Sequence, residues 1–263
     1  MTSKVVRSTA ASGAQIYESA RAVSEYLQFH FGDAKDLMPY SFGPVEALSF
    51  TKRTASECMK HATHRRSVLD VGCAVGGASF ELSRYFDRVV GIDFSKHFIE
   101  SANRMKEHRS LDYEMMKQGD IFVKRTATLD ADISTANVTF LEGDACNLNR
   151  DIGTFDAIHA CNLLCRLPQP RKFLDDVSGY LNQQGILVLV SPYSWLEEYT
   201  SKDQWIGGVV DRDGNAAESD GEVSRILSKR FELLDRKDIP FLIREHERKF
   251  QYGVSDMQIW RKL

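Results

Sequence analysis

The chain has 263 residues, of which 43% are hydrophobic and 27% charged, with 34 Lys plus Arg against 37 Asp plus Glu and a formal charge of -3. That length suits one large domain or two small ones. A mean hydropathy of -0.33, with only short apolar runs such as Gly185 to Val190, argues against a membrane-spanning helix, which takes ~20 apolar residues. A pI near 6.2 leaves no basic excess to drive nucleic-acid binding, so nucleic acid and membrane are both set aside as partners.

Residues 1 to about 15, rich in Ser, Thr and Ala, are expected to be disordered. The start MTSKVVRSTAASGAQ lacks the apolar stretch of a secretory signal. The five cysteines, Cys58, Cys73, Cys146, Cys161 and Cys165, are scattered and odd in number. Reduced thiols and a cytoplasmic location are therefore expected. Cys161 and Cys165 have no second Cys or His pair at metal-ligand spacing nearby, and no metal is read. His61 and His64 read as solvated helix-end residues.

From Tyr17 onward, Val23, Tyr26, Leu27, Phe29 and Phe31 fit one helical face. Gly32, Pro39, Gly43 and Pro44 then break the chain into a loop bearing Tyr40 and Phe42. A second helical stretch runs roughly from Val45 to Lys60. Residues 1–50 are expected to form a tail and a helical or loop lid, and residues 51–263 the core.

The segment from Ser67 carries the first strong signal. Val68 to Val71 suits a buried strand, Gly72, Gly76 and Gly77 a turn, and Ser79 to Phe86 a helix. Val89 to Ile92 suits a second strand ending at Asp93, and Ser95 the N-cap of a further helix. A strand, glycine turn, helix and strand in this order is the unit of a doubly wound parallel sheet. The polar stretch Arg109 to Asn137 is too long for an ordinary connection and reads as an insertion with structure of its own. Further strands are expected at Val138 to Glu142, Phe155 to Cys161 and Ile186 to Val190. Pro170 at N1 opens a helix over Arg171 to Leu181, closed by Asn182 to Gly185. Phe231 to Leu234, Ile239 to Arg244 and Gln258 to Arg261 read as antiparallel strands finishing the sheet.

The glycine turn selects among ligands. No Lys follows Gly72 or Gly76 as a triphosphate-binding loop requires. A dinucleotide fingerprint is also imperfect, because the turn reads Gly72-Cys73-Ala74-Val75-Gly76-Gly77, with Ala at the second glycine. Asp93 stands where an acidic side chain accepts both hydrogen bonds of a ribose diol.

Asp70 to Gly76 (D-V-G-C-A-V-G), the strand-end Asp93, the pair Asp144-Ala145 and Asn162 resemble the ordered motifs of class I S-adenosylmethionine-dependent methyltransferases. The resemblance implies a Rossmann-like α/β fold with a mostly parallel seven-stranded sheet and an N-terminal helical cover. It places Asp70, Gly72 and Gly76 at the methionine part of the cofactor, Asp93 at the ribose and Asp144 at the adenine amino group. Cys73, Ala74, Phe94, Ala145, Cys146 and Asn162 become further cofactor contacts. Ala74 departs from the common D-x-G-x-G-x-G form but is small. Singly, Asp93 and Asp144 suit helix caps just as well.

A closer resemblance covers most of the chain. YESARAVSEYLQFHFG, LDVGCAVGGASFEL, VVGIDFSKHFI, FLEGDACNL, LVLVSPYSWLEEYT, KDQWIGG and DIPFLIREHERKFQY are similar to the methyltransferase domain of ovothiol biosynthesis. That domain is usually fused behind an iron-dependent sulfoxide synthase and methylates an imidazole nitrogen of 5-thiohistidine, also called 4-mercaptohistidine. The implied acceptor is small, and the synthase activity is expected from a separate polypeptide. Tyr193, Trp195 and Trp205 are candidates to sandwich the imidazole, Arg244 to pair with the carboxylate, and Tyr17, Tyr40 and Phe42 to close over it. Asn162, Tyr193 and Glu197 are candidates to fix the imidazole tautomer, with Asn162 and Tyr193 taken as catalytic. The plain alternatives are core packing for Trp195 and Trp205 and a surface pairing of Arg244 with Glu245 or Glu247. Three other functions compete: methylation of another small molecule, an inactive cofactor-binding partner subunit, and a nicotinamide oxidoreductase.

Overall fold

The computed structural model describes residues 12–263. Most of the segment expected to be disordered lies outside that range, while its last residues open a 3-10 helix, Ser12–Glu18. Helix α1, Ala20–Phe31, starts where the Ser19 hydroxyl accepts from the Ala22 amide at 3.1 Å. A short turn, α2 (Ala34–Leu37), follows. The single helix expected from Val45 to Lys60 is instead broken into a 3-10 turn, Val45–Ala47, and α3, Phe50–His61. Arg53 reaches back to hold the Ala47 and Leu48 carbonyls at 3.1 and 3.0 Å, and Ser49 between them adopts φ 55°.

The core then runs β1 (Ser67–Val71), α4 (Gly77–Leu82), β2 (Arg88–Asp93) and α5 (Lys96–His108). It continues through β3 (Ser110–Gln118), β4 (Ile121–Thr128), β5 (Val138–Glu142), β6 (Phe155–Cys161), α6 (Pro170–Asp176) and β7 (Leu181–Ser191). After a two-residue pair, β8 (Val209–Val210) and β9 (Ala216–Ala217), come α7 (Ser219–Leu227), β10 (Phe231–His246) and β11 (Lys249–Lys262). One seven-stranded sheet has the order β10-β11-β7-β6-β1-β2-β5. The strands from β7 to β5 run parallel, and β10 and β11 are antiparallel additions.

The near-continuous apolar runs of β1 and β6 follow from burial on both faces. On one face Phe80, Leu27 and Met105 pack with α1, α3, α4 and α5; on the other Phe155, Phe173 and Leu187 pack with α6 and α7. The 109–137 insertion is a β3-β4 hairpin whose Leu111, Tyr113 and Met115 alternate inward against α1 and α5. The helix expected to reach Leu181 ends at Asp176, a 3-10 turn spans Val177–Tyr180, and β7 already begins at Leu181. The expected closing turn at Asn182 to Gly185 is thus part of that strand, kinked at Gln184 by φ 62°.

The strand segments read in the C-terminal section merge into one long hairpin. Its proximal half joins the sheet through β11 residues 256–261 against β7. The distal half, beyond Ile239, pairs only with itself and leans over α1, α2 and β3. Among the described residues no helix is long and apolar enough to cross a membrane.

Candidate active site

The C-terminal ends of β1, β2 and β6 open into a cavity of about 750 Å³, roofed by the 3-10 helix and α1 and walled by the distal half of the β10-β11 hairpin. Open parallel sheets bind ligands at this edge. The turn after β1 forms its floor. Gly72 adopts φ 75°, and a Cβ there would stand 2.9 Å from Leu163 Cδ1. Ala74 also sits in the left-handed region, at φ 48°, where a non-glycine residue costs ~1 kcal/mol. Its amide donates to Asp93 Oδ2 at 2.9 Å, which holds that conformation.

Asp93 Oδ1 accepts from the Ser95 amide at 2.9 Å, so each carboxylate oxygen takes one backbone donor and keeps lone pairs for the cavity. Burial outweighs those bonds and raises its pKa to about 6. Gly76 turns away from the cavity. At φ 87° it makes the tight turn and packs under Phe140, whose Cζ would lie 2.6 Å from an added Cβ.

Asp70 lies at the centre, almost wholly buried. Its Oδ2 accepts from Ser79 Oγ at 2.6 Å and its Oδ1 faces His159 Nδ1 at 2.8 Å. His159 Nε2 stands 3.1 Å from Cys161 Sγ. Burial opposes a charge on His159, but Cys161 and Asp70 together outweigh it and raise the imidazole pKa. Along the β5 end, Asp144 and Ala145 line the cavity, with Asp144 also accepting from the Cys146 amide at 2.8 Å. Phe94 lines it too, 46% exposed. Cys146 points its sulfur to the Gln169 carbonyl at 3.5 Å and does not face the cavity. Cys73 and Ala74 line the floor.

The other end of the cavity is aromatic. Tyr17 meets Tyr26 edge-on at 6.0 Å and Tyr199 at 6.1 Å, and the Arg166 guanidinium lies 4.7 Å from the Tyr199 ring centre. Arg166 also donates to the Ser194 carbonyl at 2.8 Å. Burial pushes the Tyr17 hydroxyl well above its ordinary range and Tyr26 to about 12, so both remain neutral donors. His30 Nδ1 accepts from the Gly77 amide at 3.0 Å, which assigns the ring proton to Nε2. Burial lowers its pKa to about 4, leaving a neutral imidazole. Asn162 lies between the two ends, at φ 52°, with Oδ1 accepting from Ser255 Oγ at 2.8 Å.

Several expected acceptor contacts lie elsewhere. Tyr193 turns its hydroxyl to Asp256 Oδ2 at 2.9 Å. Trp195 stacks on Trp205 at 6.4 Å and donates to Ser219 Oγ at 2.9 Å, so both tryptophans are packing groups. Glu197 is exposed away from the cavity. The reason is one of phase: the chain leaves β7 with Pro192, Ser194 and Leu196 facing the cavity, and Tyr193, Trp195 and Glu197 facing away. Phe42 is 87% exposed and stacks on Tyr40, whose hydroxyl donates to the Glu247 carbonyl. Arg244 is buried and holds the Asp36 and His246 carbonyls, so it pairs neither with a substrate carboxylate nor with Glu245 or Glu247.

Sequence reasoning missed His30, His159, Arg166 and Tyr199. Arg166 and His159 each interrupt an otherwise apolar run, which was the available signal. Outside the cavity, Glu57, His61 and Asp235 approach one another closely. The Lys237 ammonium bonds both carboxylates, at 2.9 and 2.7 Å, and takes a cation's place, while His61 proves half-buried.

The seven-stranded order and the cavity at the C-terminal strand ends are those of the class I S-adenosylmethionine-dependent methyltransferase fold. Residues 69–189 match the family model described as a methyltransferase domain. The chain is 22% identical over 172 residues to a sterol 24-C-methyltransferase of Candida albicans, covering 60% of this chain and 39% of that protein. It is 26% identical over 153 residues to the uncharacterized methyltransferase YcgJ of Bacillus subtilis, covering 58% and 49%. The aligned segments thus span less than half the length of these curated relatives. Among solved structures it resembles magnesium protoporphyrin IX methyltransferase from Synechocystis with bound SAH, with a TM-score of 0.58, 15% identity and coverage of 95% and 98%. The N-methyltransferase NodS from Bradyrhizobium japonicum, in complex with S-adenosyl-L-homocysteine, gives a TM-score of 0.52, 15% identity and coverage of 91% and 98%.

Proposed function

We propose that this chain methylates a ring nitrogen of 5-thiohistidine. The observation that carries the reading is the aromatic end of the cavity, where Tyr17, Tyr26 and Tyr199 surround Arg166, the one Lys or Arg side chain among the described cavity-lining residues. Such a box suits a small aromatic anion. When bound, S-adenosylmethionine supplies an activated sulfonium methyl group.

The residues present fit that cofactor. Asp93 keeps carboxylate lone pairs for a ribose diol, and Asp144 does so for an adenine amino group, with Ala145 and Phe94 as apolar flanks. Gly72, Cys73 and Ala74 bring backbone close to a ligand, with Asp70, bonded to Ser79 and His159, lining the cavity beside them for the methionine part. On the acceptor side Arg166 pairs with the carboxylate, and Glu25 supplies a negative partner for the ammonium.

Methyl transfer asks mainly for alignment, with reacting atoms ~3 to 3.5 Å apart. Selectivity is the harder task, because a thiolate attacks a methyl group more readily than an imidazole nitrogen does. The His30 Nε2 proton is a fixed donor that holds the sulfur or the second ring nitrogen, leaving one nitrogen lone pair free; Asn162 supports the same alignment. His30 is a poor base, since burial lowers its pKa to about 4 and the Gly77 amide occupies its accepting nitrogen.

Mass spectrometry after incubation with 5-thiohistidine and S-adenosylmethionine tests the reading. One methyl on a ring nitrogen supports it. A methyl on sulfur overturns the selectivity argument, and no product removes thiohistidine as the acceptor. A second reading, another small and more apolar acceptor, is favoured by the Phe29, Phe50, Phe241 and Ile243 wall.

A further inference from the structure

Cys161 stands apart from the other cysteines. Cys58, Cys73, Cys146 and Cys165 are buried. Burial pushes each of their thiols upward, that of Cys146 to about 11, which fits inert packing groups. Cys161, at the end of β6, is half-buried and lines the cavity.

Its sulfur lies 3.1 Å from His159 Nε2, and the opposite ring nitrogen lies 2.8 Å from Asp70 Oδ1. The Ser79 hydroxyl fixes the other Asp70 oxygen at 2.6 Å. A carboxylate that orients an imidazole, and an imidazole placed to take a thiol proton, are the parts of an activated sulfur nucleophile. Methyl transfer gives Cys161 and His159 no such task.

We propose that Cys161, served by His159 and Asp70, is a nucleophilic thiol that forms a mixed disulfide with small aromatic disulfides entering the cavity. The Cys161 proton passes to His159 Nε2 as Sγ bonds to one sulfur of the incoming disulfide. The S–S bond breaks, and its electron pair leaves on the second sulfur as a thiolate. Cys161 is oxidised to a disulfide and the released half is reduced to a thiol, so the step needs no other oxidant. The adduct fills the aromatic end of the cavity and stops methyl transfer until a dithiol reductant removes it. The aromatic walls that suit an aromatic acceptor select the disulfide by the same contacts.

The test is a titration of the full chain with 5,5′-dithiobis(2-nitrobenzoate), following released thiolate and mapping the modified peptide by mass spectrometry. One fast equivalent is expected, on Cys161, with the other cysteines reacting only after denaturation. The equivalent disappears in Cys161→Ser. It slows at least tenfold in His159→Gln and Asp70→Asn, each checked for a cooperative melt. Fast reaction at another cysteine, no fast equivalent, or an unchanged Cys161 rate in both folded variants overturns the proposal. If neither variant folds, the wild-type rate profile decides. A rate falling about tenfold per pH unit below ~8.5, as for an unassisted thiol, overturns it, and a rate sustained toward pH 7 supports it. The labelling needs neither cofactor nor acceptor, so its failure leaves the methyltransferase reading standing.

Discussion

Cofactor affinity should titrate with Asp93. Its carboxylate accepts from the Ala74 and Ser95 amides and faces the cavity, while burial raises its pKa to about 6. The form that accepts ribose hydrogen bonds is the ionised one. Affinity is therefore full at pH 8 and is lost as pH falls through 6. At pH 5 about one carboxylate in ten is ionised, which corresponds to ~10-fold weaker binding if the protonated form does not bind. Binding near pH 6 should also release protons, because the ligand stabilises the ionised form. In Asp93→Asn the charge is gone, and an amide NH₂ must face one of two backbone donors. Each charge-assisted hydrogen bond lost costs ~1.5 to 3 kcal/mol, or roughly 10- to 150-fold in Kd. Calorimetry with S-adenosylhomocysteine from pH 5 to 8, in two buffers of different ionisation enthalpy, measures all three effects. A variant within twofold of wild type, or one that keeps the wild-type pH dependence, refutes the assignment.

Gly76→Ala should unfold several degrees lower, losing ~1 to 3 kcal/mol, because φ 87° is unfavourable for alanine and the new Cβ meets Phe140; a thermal melt checks it. Tyr193→Phe should cost ~1 kcal/mol of stability with turnover little changed, since the hydroxyl serves Asp256, which keeps Arg236 and Gln258 as donors. A large loss of kcat with an unchanged melt would return Tyr193 to the active site. Arg166→Met should raise the acceptor KM ~10- to 100-fold while cofactor affinity changes far less. Equal losses in both would move Arg166 to the cofactor side.

The parallel core was legible because burial on both faces writes itself into the sequence as short apolar runs ending at Asp93 and Cys161. Part of the cavity lining was legible for a related reason: Gly72, Asp93 and Asp144 stand at fixed offsets from strand ends. Gly76 shows the limit of that logic, since a turn glycine packed under Phe140 and a glycine lining the cavity look alike in sequence. The β3-β4 hairpin was hidden because it buries only one face, so its period of two is diluted by lysines and glutamates. The acceptor side was the least legible. Whether Tyr193 or Ser194 faces the cavity depends on a single residue of phase after β7, set by Pro192 and the left-handed Tyr193, at φ 49°. Arg166 and His30 come from a short 3-10 helix, Leu164–Arg166, and from α1, far apart in sequence, and no local pattern joins them.

The distal half of the β10-β11 hairpin has a consequence for how such a protein changes over time. Its residues, including Phe241, Ile243, Tyr252 and Val254, wall the cavity, yet they pair only with each other and not with the main parallel strands. Substitutions there can redraw the acceptor boundary without disturbing the loops that face the cofactor. A library confined to the cavity-facing Phe241, Ile243, Tyr252 and Val254 is therefore the place to alter acceptor choice, while the buried Ile239, Leu242 and Arg244 of the same hairpin hold it to the core.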